Sequence, residues 1–181
     1  SDLPFVGGDL RVQLQWTHLV ENTTVDATGV SDDYVGQCYD FGESCFNRDR
    51  STGLFTWSSG DWTVNWVTRF MSGISAPEDA LNYFDVANGG ANPYTGAAFP
   101  AGVLEDVMDT YSIEDFYYHN ASVSYQYDDN TRVNVAITNV FDEEAPYYKS
   151  FFGFVDPQIN TPQNTYDIVG QYVTASVSYS F

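Results

Sequence analysis

Apolar and polar residues alternate along most of this chain with a period of two, the spacing of a β-strand with one face in apolar surroundings. In 9–21, Leu10, Val12, Leu14 and Trp16 share one face, and Arg11, Gln13, Gln15 and Thr17 the other. A weaker strand over 50–58 carries Phe55 and Trp57. In 61–71, Trp62, Val64, Trp66, Thr68 and Phe70 alternate with Thr63, Asn65, Val67 and Arg69. In 114–127, Tyr117, His119, Ala121, Val123, Tyr125 and Tyr127 oppose Tyr118, Asn120, Ser122, Ser124 and Gln126. Two further strands span 131–141 and 167–181, the last with Val173, Ala175, Val177, Tyr179 and Phe181 on its apolar face. No segment has the 3.6-residue period of a helix.

The connections alternate in length. Ser58-Ser-Gly-Asp61 and Asp128-Asp-Asn-Thr131 read as tight turns, with Gly60 where a positive φ is needed. The stretches 22–49, 71–113 and 142–166 are long. Loops of that length are uncommon in compact soluble domains. Short turns at one end and long loops at the other are the layout of bacterial outer-membrane barrels. An antiparallel all-β fold follows, either such a barrel or a soluble β-sandwich.

Composition helps to separate the two. The 181 residues hold six Lys+Arg against 25 Asp+Glu, a net charge of −19. That balance argues against nucleic acid or an anionic membrane surface as partner, since phosphate binding needs clustered cations. The acidic residues concentrate in the three long connections. Those elsewhere, such as Asp9, Asp61, Glu114, Asp115, Asp128, Asp129 and Asp167, stand at turns or strand ends. A soluble sandwich normally places some acids on its solvent face, whereas a lipid-facing strand avoids them. Arg11, Arg50, Arg69 and Arg132 all fall on the polar parity of their strands. A strand of ~11 residues at ~3.4 Å each, tilted ~45°, climbs roughly 26 Å, close to the apolar band of an outer-membrane barrel. Apolar-face aromatics cluster at both ends. Trp57, Trp62, Tyr125, Tyr127, Tyr179 and Phe181 lie toward the turns, and Trp16, Phe70 and Tyr117 toward the long loops. Trp66, near mid-strand, departs from that scheme. No run approaches the ~20 apolar residues of a transmembrane helix, and no leader pattern opens the chain; neither observation bears on a barrel.

Four stretches carry a family resemblance. Gly170-Gln-Tyr-Val-Thr-Ala-Ser-Val-Ser-Tyr-Ser-Phe181 resembles the insertion signal of outer-membrane proteins, with Val177, Tyr179 and Phe181 as its alternating apolar positions. Val135-Ala-Ile-Thr-Asn-Val-Phe-Asp-Glu-Glu-Ala-Pro146 resembles the penultimate-strand motif of TonB-dependent receptors, with Val140 where Leu is usual. Tyr166-Asp-Ile-Val-Gly170 and Phe55-Thr-Trp57 are similar to the same family. The resemblance implies a barrel of about 22 strands with a plugged lumen. Residues 1–181 would be its C-terminal part, six strands of it, with the plug and earlier strands outside this chain. It implies energy-coupled uptake of a scarce nutrient, most commonly an iron–siderophore complex, with oligosaccharide or cobalamin as alternatives. Its partners would be the nutrient, TonB through the N-terminal region, the barrel-assembly machinery, the lipid bilayer, and the remaining strands and plug. The implied place is the outer membrane of a Gram-negative bacterium. A passive or adhesive barrel protein is the second class of function, and a soluble carbohydrate-binding β-sandwich the third.

Nothing in the sequence suggests an enzyme or a cofactor: HExxH, GxSxG and phosphate-cradling glycine loops are absent. His18 and His119 fall on apolar faces and read as interfacial residues. Asp32-Asp33, Glu78-Asp79, Glu105-Asp106 and Asp142-Glu-Glu144 read as a solvated acidic rim, with Ca²⁺ binding as the alternative. Cys38 and Cys45 suit one local disulfide in an oxidising compartment rather than a zinc site. The second long loop offers Tyr83, Phe84, Asn88, Asn92, Tyr94 and Phe99, aromatic and amide groups that suit a polar ring-bearing ligand. Loop packing explains the same residues equally well.

Overall fold

The computed structural model describes residues 7–25, 27–38, 45–75, 112–147, 161 and 165–181. Its centre is one antiparallel sheet of six strands: β1 (Asp9–His18), β4 (Asp49–Ser59), β5 (Trp62–Met71), β8 (Phe116–Gln126), β9 (Thr131–Thr138) and β10 (Tyr172–Tyr179). They pair in chain order, β1-β4-β5-β8-β9-β10, as successive hairpins. Two small hairpins that the sequence pattern did not predict lie in the long connections. One is β2 (Thr23–Val25) with β3 (Ser31–Asp33), the other β6 (Ile74–Ser75) with β7 (Ser112–Ile113).

Register keeps the two faces separate across the sheet. One row runs Leu10, Trp57, Val64, Val123, Val135, Ala175, and the next Val12, Phe55, Trp66, Ala121, Ile137, Val173. The intervening row on the other face is Arg11, Thr56, Asn65, Ser122, Ala136, Thr174. Gln13, Asn134 and Ser176 share that polar parity. A slip of one residue would turn every apolar side chain to the opposite face. The apolar face is not covered: Leu14 is 76% exposed and Val177 69%. No second sheet packs on it among the described residues, so the sandwich arrangement does not occur there.

The polar face satisfies itself laterally. Thr56 Oγ1 donates to Asn65 Oδ1 at 2.8 Å, Asn65 Nδ2 to Ser122 Oγ at 3.3 Å, and Ser124 Oγ to Asn134 Oδ1 at 2.8 Å. Trp66, the mid-strand exception, also finds partners. Its indole N–H donates to Thr68 Oγ1 at 3.1 Å, and its ring lies 5.6 Å from His119 and 6.0 Å from Phe141.

Both tight turns form where expected. Gly60 takes a φ of +55° between β4 and β5. Between β8 and β9, Asp128 Oδ1 accepts from the Asn130 and Thr131 amides at 2.9 and 2.7 Å. Those bonds hold its carboxyl below the ordinary aspartate value. At the start of β1, Gly8 has a φ of +134° and passes so close to β4 that a Cβ would stand 2.4 Å from the Ser58 carbonyl oxygen.

Several predicted strands are longer than the observed ones, for local reasons. β9 stops at Thr138 because Asn139 takes a φ of +53°, a conformation Asn tolerates better than most residues. Asn139 then clamps the turn. Its Nδ2 donates to Glu143 O and its Oδ1 accepts from Glu143 N, both at 2.9 Å, while its own amide donates to Asn120 Oδ1 at 2.9 Å. Asp142, also at +53°, accepts from Gln171 N at 2.7 Å, and Gln171 Nε2 donates to Val140 O at 2.7 Å. β10 therefore begins at Tyr172, five residues later than expected. Likewise β8 begins at Phe116, because Ser112 and Ile113 pair with β6 instead.

Asn139 is buried and carries three of these bonds. Asn139→Ala loses the two side-chain bonds and places a Cβ residue less suited to positive φ there. In the full-length protein this should cost about 2–3 kcal/mol, read as a lower urea midpoint. Asn139→Gly keeps the backbone conformation and should cost less.

Candidate functional site

The buried core does not lie between sheets. It caps the loop end of the polar face, where Cys38, Cys45, Met71, Ile74, Ile113, Phe116, Tyr118 and Tyr166 form one cluster. The three long connections all meet there. The first contributes Cys45 and Asn47, the second Ser72, Ile74 and Ile113, and the third Tyr166 and Asp167.

Cys38 and Cys45 are bonded, as the sequence suggested. Their Cα atoms are 4.0 Å apart, closer than the ~4.4–6.8 Å usual for disulfides. The reason is their placement. They are antiparallel bridge partners, and Phe46 N donates to Gln37 O at 2.9 Å, which makes them a non-hydrogen-bonded pair, the closer of the two antiparallel kinds. The pair is buried, and Cys38 N donates to Ser75 O at 3.3 Å, so the disulfide ties the first long connection to the stem of the second.

Asn47 and Arg50 extend the tie. Asn47 Oδ1 accepts from Arg50 Nε at 3.1 Å and Nη2 at 2.8 Å, and Arg50 Nη2 also donates to Cys45 O at 3.1 Å. Asn47 Nδ2 donates to Ser72 O at 2.5 Å and lies 3.4 Å from Tyr166 Oη. Tyr166 is only 1% exposed, with its ring edge-on to Phe116 at 5.4 Å. Tyr118 Oη donates to Asp167 O at 2.9 Å and accepts from Asp167 N at 3.0 Å. Arg69 stacks over the Tyr118 ring at 5.2 Å. Sequence reasoning missed Asn47 and Tyr118 as members of this hub. The available signals were the polar run Asn47-Arg-Asp-Arg50 at a strand start and the aromatic pair Tyr117-Tyr118 spanning both faces.

Beside the hub a cleft of about 340 Å³ is lined by Thr17, Leu19, Cys45, Phe46, Asn47, Arg50 and Thr165. Its polar groups are hydroxyls, an amide and a guanidinium, and no carboxylate lines it among the described residues. Asn47 and Arg50 already bond each other, Ser72 and Cys45, so the cleft is walled mainly by apolar surface.

The other sequence candidates fall as follows. Tyr83, Phe84, Asn88, Asn92, Tyr94 and Phe99 lie outside the described residues, as do Glu78, Asp79, Glu105 and Asp106. Asp33 is a structural acceptor for the Asn22 and Val35 amides, each at 3.1 Å, and Asp142 serves β10 as described above. His18 Nδ1 lies 2.7 Å from Asp49 Oδ1, which also accepts from the Trp16 indole at 3.0 Å. His119 Nδ1 lies 3.0 Å from Thr68 Oγ1. Each histidine has a local partner on the apolar face, and no metal-ligating cluster occurs among the described residues. Val177 and Tyr179 are exposed on the apolar face of β10, with the Tyr179 and Phe181 rings 5.1 Å apart.

No family model matches the chain, and no curated protein matches it by sequence. Solved structures do match. The ferric enterobactin receptor PfeA of Pseudomonas aeruginosa, as a mutant in complex with enterobactin, aligns over 99% of this chain with a TM-score of 0.54 and 14% identity. The siderophore receptor PirA of Acinetobacter baumannii aligns over 99% with a TM-score of 0.53 and 18% identity. The chain spans about a fifth of the length of these receptors, 21% and 20%. At such identities the likeness concerns the fold: the six strands take the form of a segment of a siderophore-receptor β-barrel.

Two outcomes test the hub. Cys38 and Cys45 should resist thiol labelling in intact non-reduced cells, and Cys38→Ser with Cys45→Ser should loosen the 45–50 segment to protease. The closed loop supplies about 2–3 kcal/mol by chain entropy. The second outcome concerns Tyr166. Burial pushes its phenol above the ordinary tyrosine value, against the opposing Asn47 bond and Arg50 charge. The fold holds the neutral form. The hub's contribution is therefore fully present below about pH 10 and is lost as pH rises through the elevated folded value. Protease resistance of the hub should fall in that alkaline window, and Tyr166→Phe should remove part of the fall.

Proposed function

We propose that residues 1–181 are the C-terminal part of a TonB-dependent receptor in the outer membrane of a Gram-negative bacterium, with the plug and earlier strands in the rest of the protein. The receptor takes up an iron–siderophore complex by energy-coupled transport and is not an enzyme. The observation that carries the reading is the pairing of an exposed apolar face with a polar face in one sequentially wound sheet. Lipid suits the first face and a lumen the second. The fold shared with PfeA and PirA supports the same reading. The apolar terminus, Val177, Tyr179 and Phe181, serves insertion by the barrel-assembly machinery.

In iron-limited cells carrying the full-length receptor, ferric enterobactin is a suitable first probe. Uptake should be saturable and should stop when the inner membrane is depolarised. Shortening the 71–113 loop should weaken binding per receptor and leave receptor abundance intact, because its stems, Ile74–Ser75 and Ser112–Ile113, stand at the end of the sheet opposite the tight turns. Deleting Phe181 should lower abundance and leave binding per receptor intact, because Phe181 ends the closing strand at the opposite end. Unchanged abundance with abolished binding on Phe181 deletion would reverse the assigned orientation. Uptake that survives depolarisation would favour a passive barrel.

A further inference from the structure

We infer that the loop end of the apolar face is a binding site for a single sugar-headed lipid, whose acyl chain lies in a groove at Gly53 and whose hydroxyls meet Trp16, His18 and Asp49. The inference rests on the reading of that face as lipid-facing.

The first observation is a groove in a face that is otherwise built of large side chains. Down β4, Ser51 stands between Trp16 and Phe70, and Gly53 between Leu14 and Thr68. These small residues leave a groove of about 410 Å³. Leu14 walls it on β1, and the Phe70 and Tyr117 rings, 5.0 Å apart, wall it on the far side. Phe55 closes the end toward the tight turns. Glycine inside a strand marks a bulge, a bend or the close approach of a ligand or another backbone. At Gly53 the register runs through unbroken and φ is not positive. A Cβ there would meet only the Phe55 ring, at 3.4 Å. What the glycine supplies is open space on the apolar face.

The second observation is the polar group at the open end of that groove. Asp49 is the single carboxylate that the six strands of the sheet place on the apolar face. Its Oδ1 accepts from the Trp16 indole and lies against His18 Nδ1. No bond among the described residues reaches its Oδ2 or His18 Nε2. Trp16 is 64% exposed, with its ring 5.7 Å from that of His18. A flat exposed ring beside a carboxylate and an imidazole matches a sugar, whose C–H face lies on the indole while its hydroxyls bond the other two. An anionic head would meet the Asp49 charge.

The third observation is that the two parts are continuous. Asp49, Ser51 and Gly53 follow one another down the same face of β4, and Phe55 ends the series. That run is roughly 20 Å of strand. Its floor is a single strand, with neighbours ~4.8 Å to either side, which suits one hydrocarbon chain and is too narrow for a helix of ~10 Å. Between partners in a bilayer, close packing and hydrogen bonds hold a contact, since lipid tails are as apolar as the protein. An amphiphile with one chain in the groove and hydroxyls at Asp49 makes both kinds at once.

The test uses the full-length receptor in nanodiscs of phosphatidylethanolamine, phosphatidylglycerol and glucosyl diacylglycerol in equal parts. Native mass spectrometry after transfer to detergent reads which lipid stays bound. Heat-modifiable gel mobility establishes assembly. Wild type should keep a glucosyl lipid in preference to the other two. Gly53→Leu, which fills the groove, should lose that lipid. Trp16→Leu, which keeps the groove and removes the platform, should still hold a lipid but without preference for the glucosyl head. Val177→Leu, on the same face of β10, should behave as wild type. If Gly53→Leu does not assemble, wild type and Trp16→Leu still decide. Four results overturn the inference alone: a wild type with no preference among the three, a preference for phosphatidylglycerol, a receptor dimer in place of bound lipid, or a glucosyl lipid retained equally by Gly53→Leu and Trp16→Leu. A protein that never enters a bilayer overturns the receptor reading itself.

Discussion

A strand that faces hydrocarbon has no water with which to pair its amides, so each backbone donor and acceptor needs a partner in the protein. That requirement organises the six-stranded sheet. β4, β5, β8 and β9 are paired on both sides, in register over most of their length. Even the strand ends continue the ladder: Val140 N donates to His119 O at 2.7 Å and Ser180 N to Asn130 O at 2.9 Å. Among the described residues β1 and β10 are the edges of the sheet, each with one unpaired side. In a bilayer such edges are tolerable only when other strands close the barrel. On this account the chain is one sector of a larger wall.

The same constraint explains where the buried core sits. A barrel wall has no sheet-on-sheet interior, and under the proposed function its hydrophobic side belongs to lipid. What remains to be buried gathers where the strands emerge and the long connections fold back. Here that place holds the disulfide, Tyr166, Phe116 and Met71. Asn47 and Arg50 link the loop backbones to the top of the wall by side-chain hydrogen bonds. The hub fixes the stems of three loops relative to one another, which gives any ligand surface built on those loops a rigid base.

The wall was legible in the sequence because a period of two with one apolar parity leaves little choice of register. Leu10, Trp57, Val64, Val123 and Val135 fall into one row as their parity predicts. Strand ends were less legible. Asn139 and Asp142 sit in an alternating stretch, and only their positive φ and the Gln171 contacts break it. The hub was legible only at Cys38 and Cys45, whose chemistry restricts them. Asn47 bonds Arg50 locally, but it joins the hub through Ser72 and Tyr166, 25 and 119 positions away, and Tyr118 through Asp167, 49 away, and no local pattern encodes such distances. The aromatic and amide candidates in 83–99 lie outside the described residues.

The central claim is that one face of this sheet meets lipid and the other a lumen. It is tested most directly by placing single spin labels along β1 and β10 of the assembled receptor and comparing accessibility to oxygen with accessibility to a water-soluble paramagnetic reagent. Labels at Leu14, Val173 and Val177 should favour oxygen. Those at Gln13, Thr174 and Ser176 should not, and the preference should alternate residue by residue. Labels at Leu14, Val173 and Val177 that are shielded from both reagents would place them inside a protein core, and the account would be wrong.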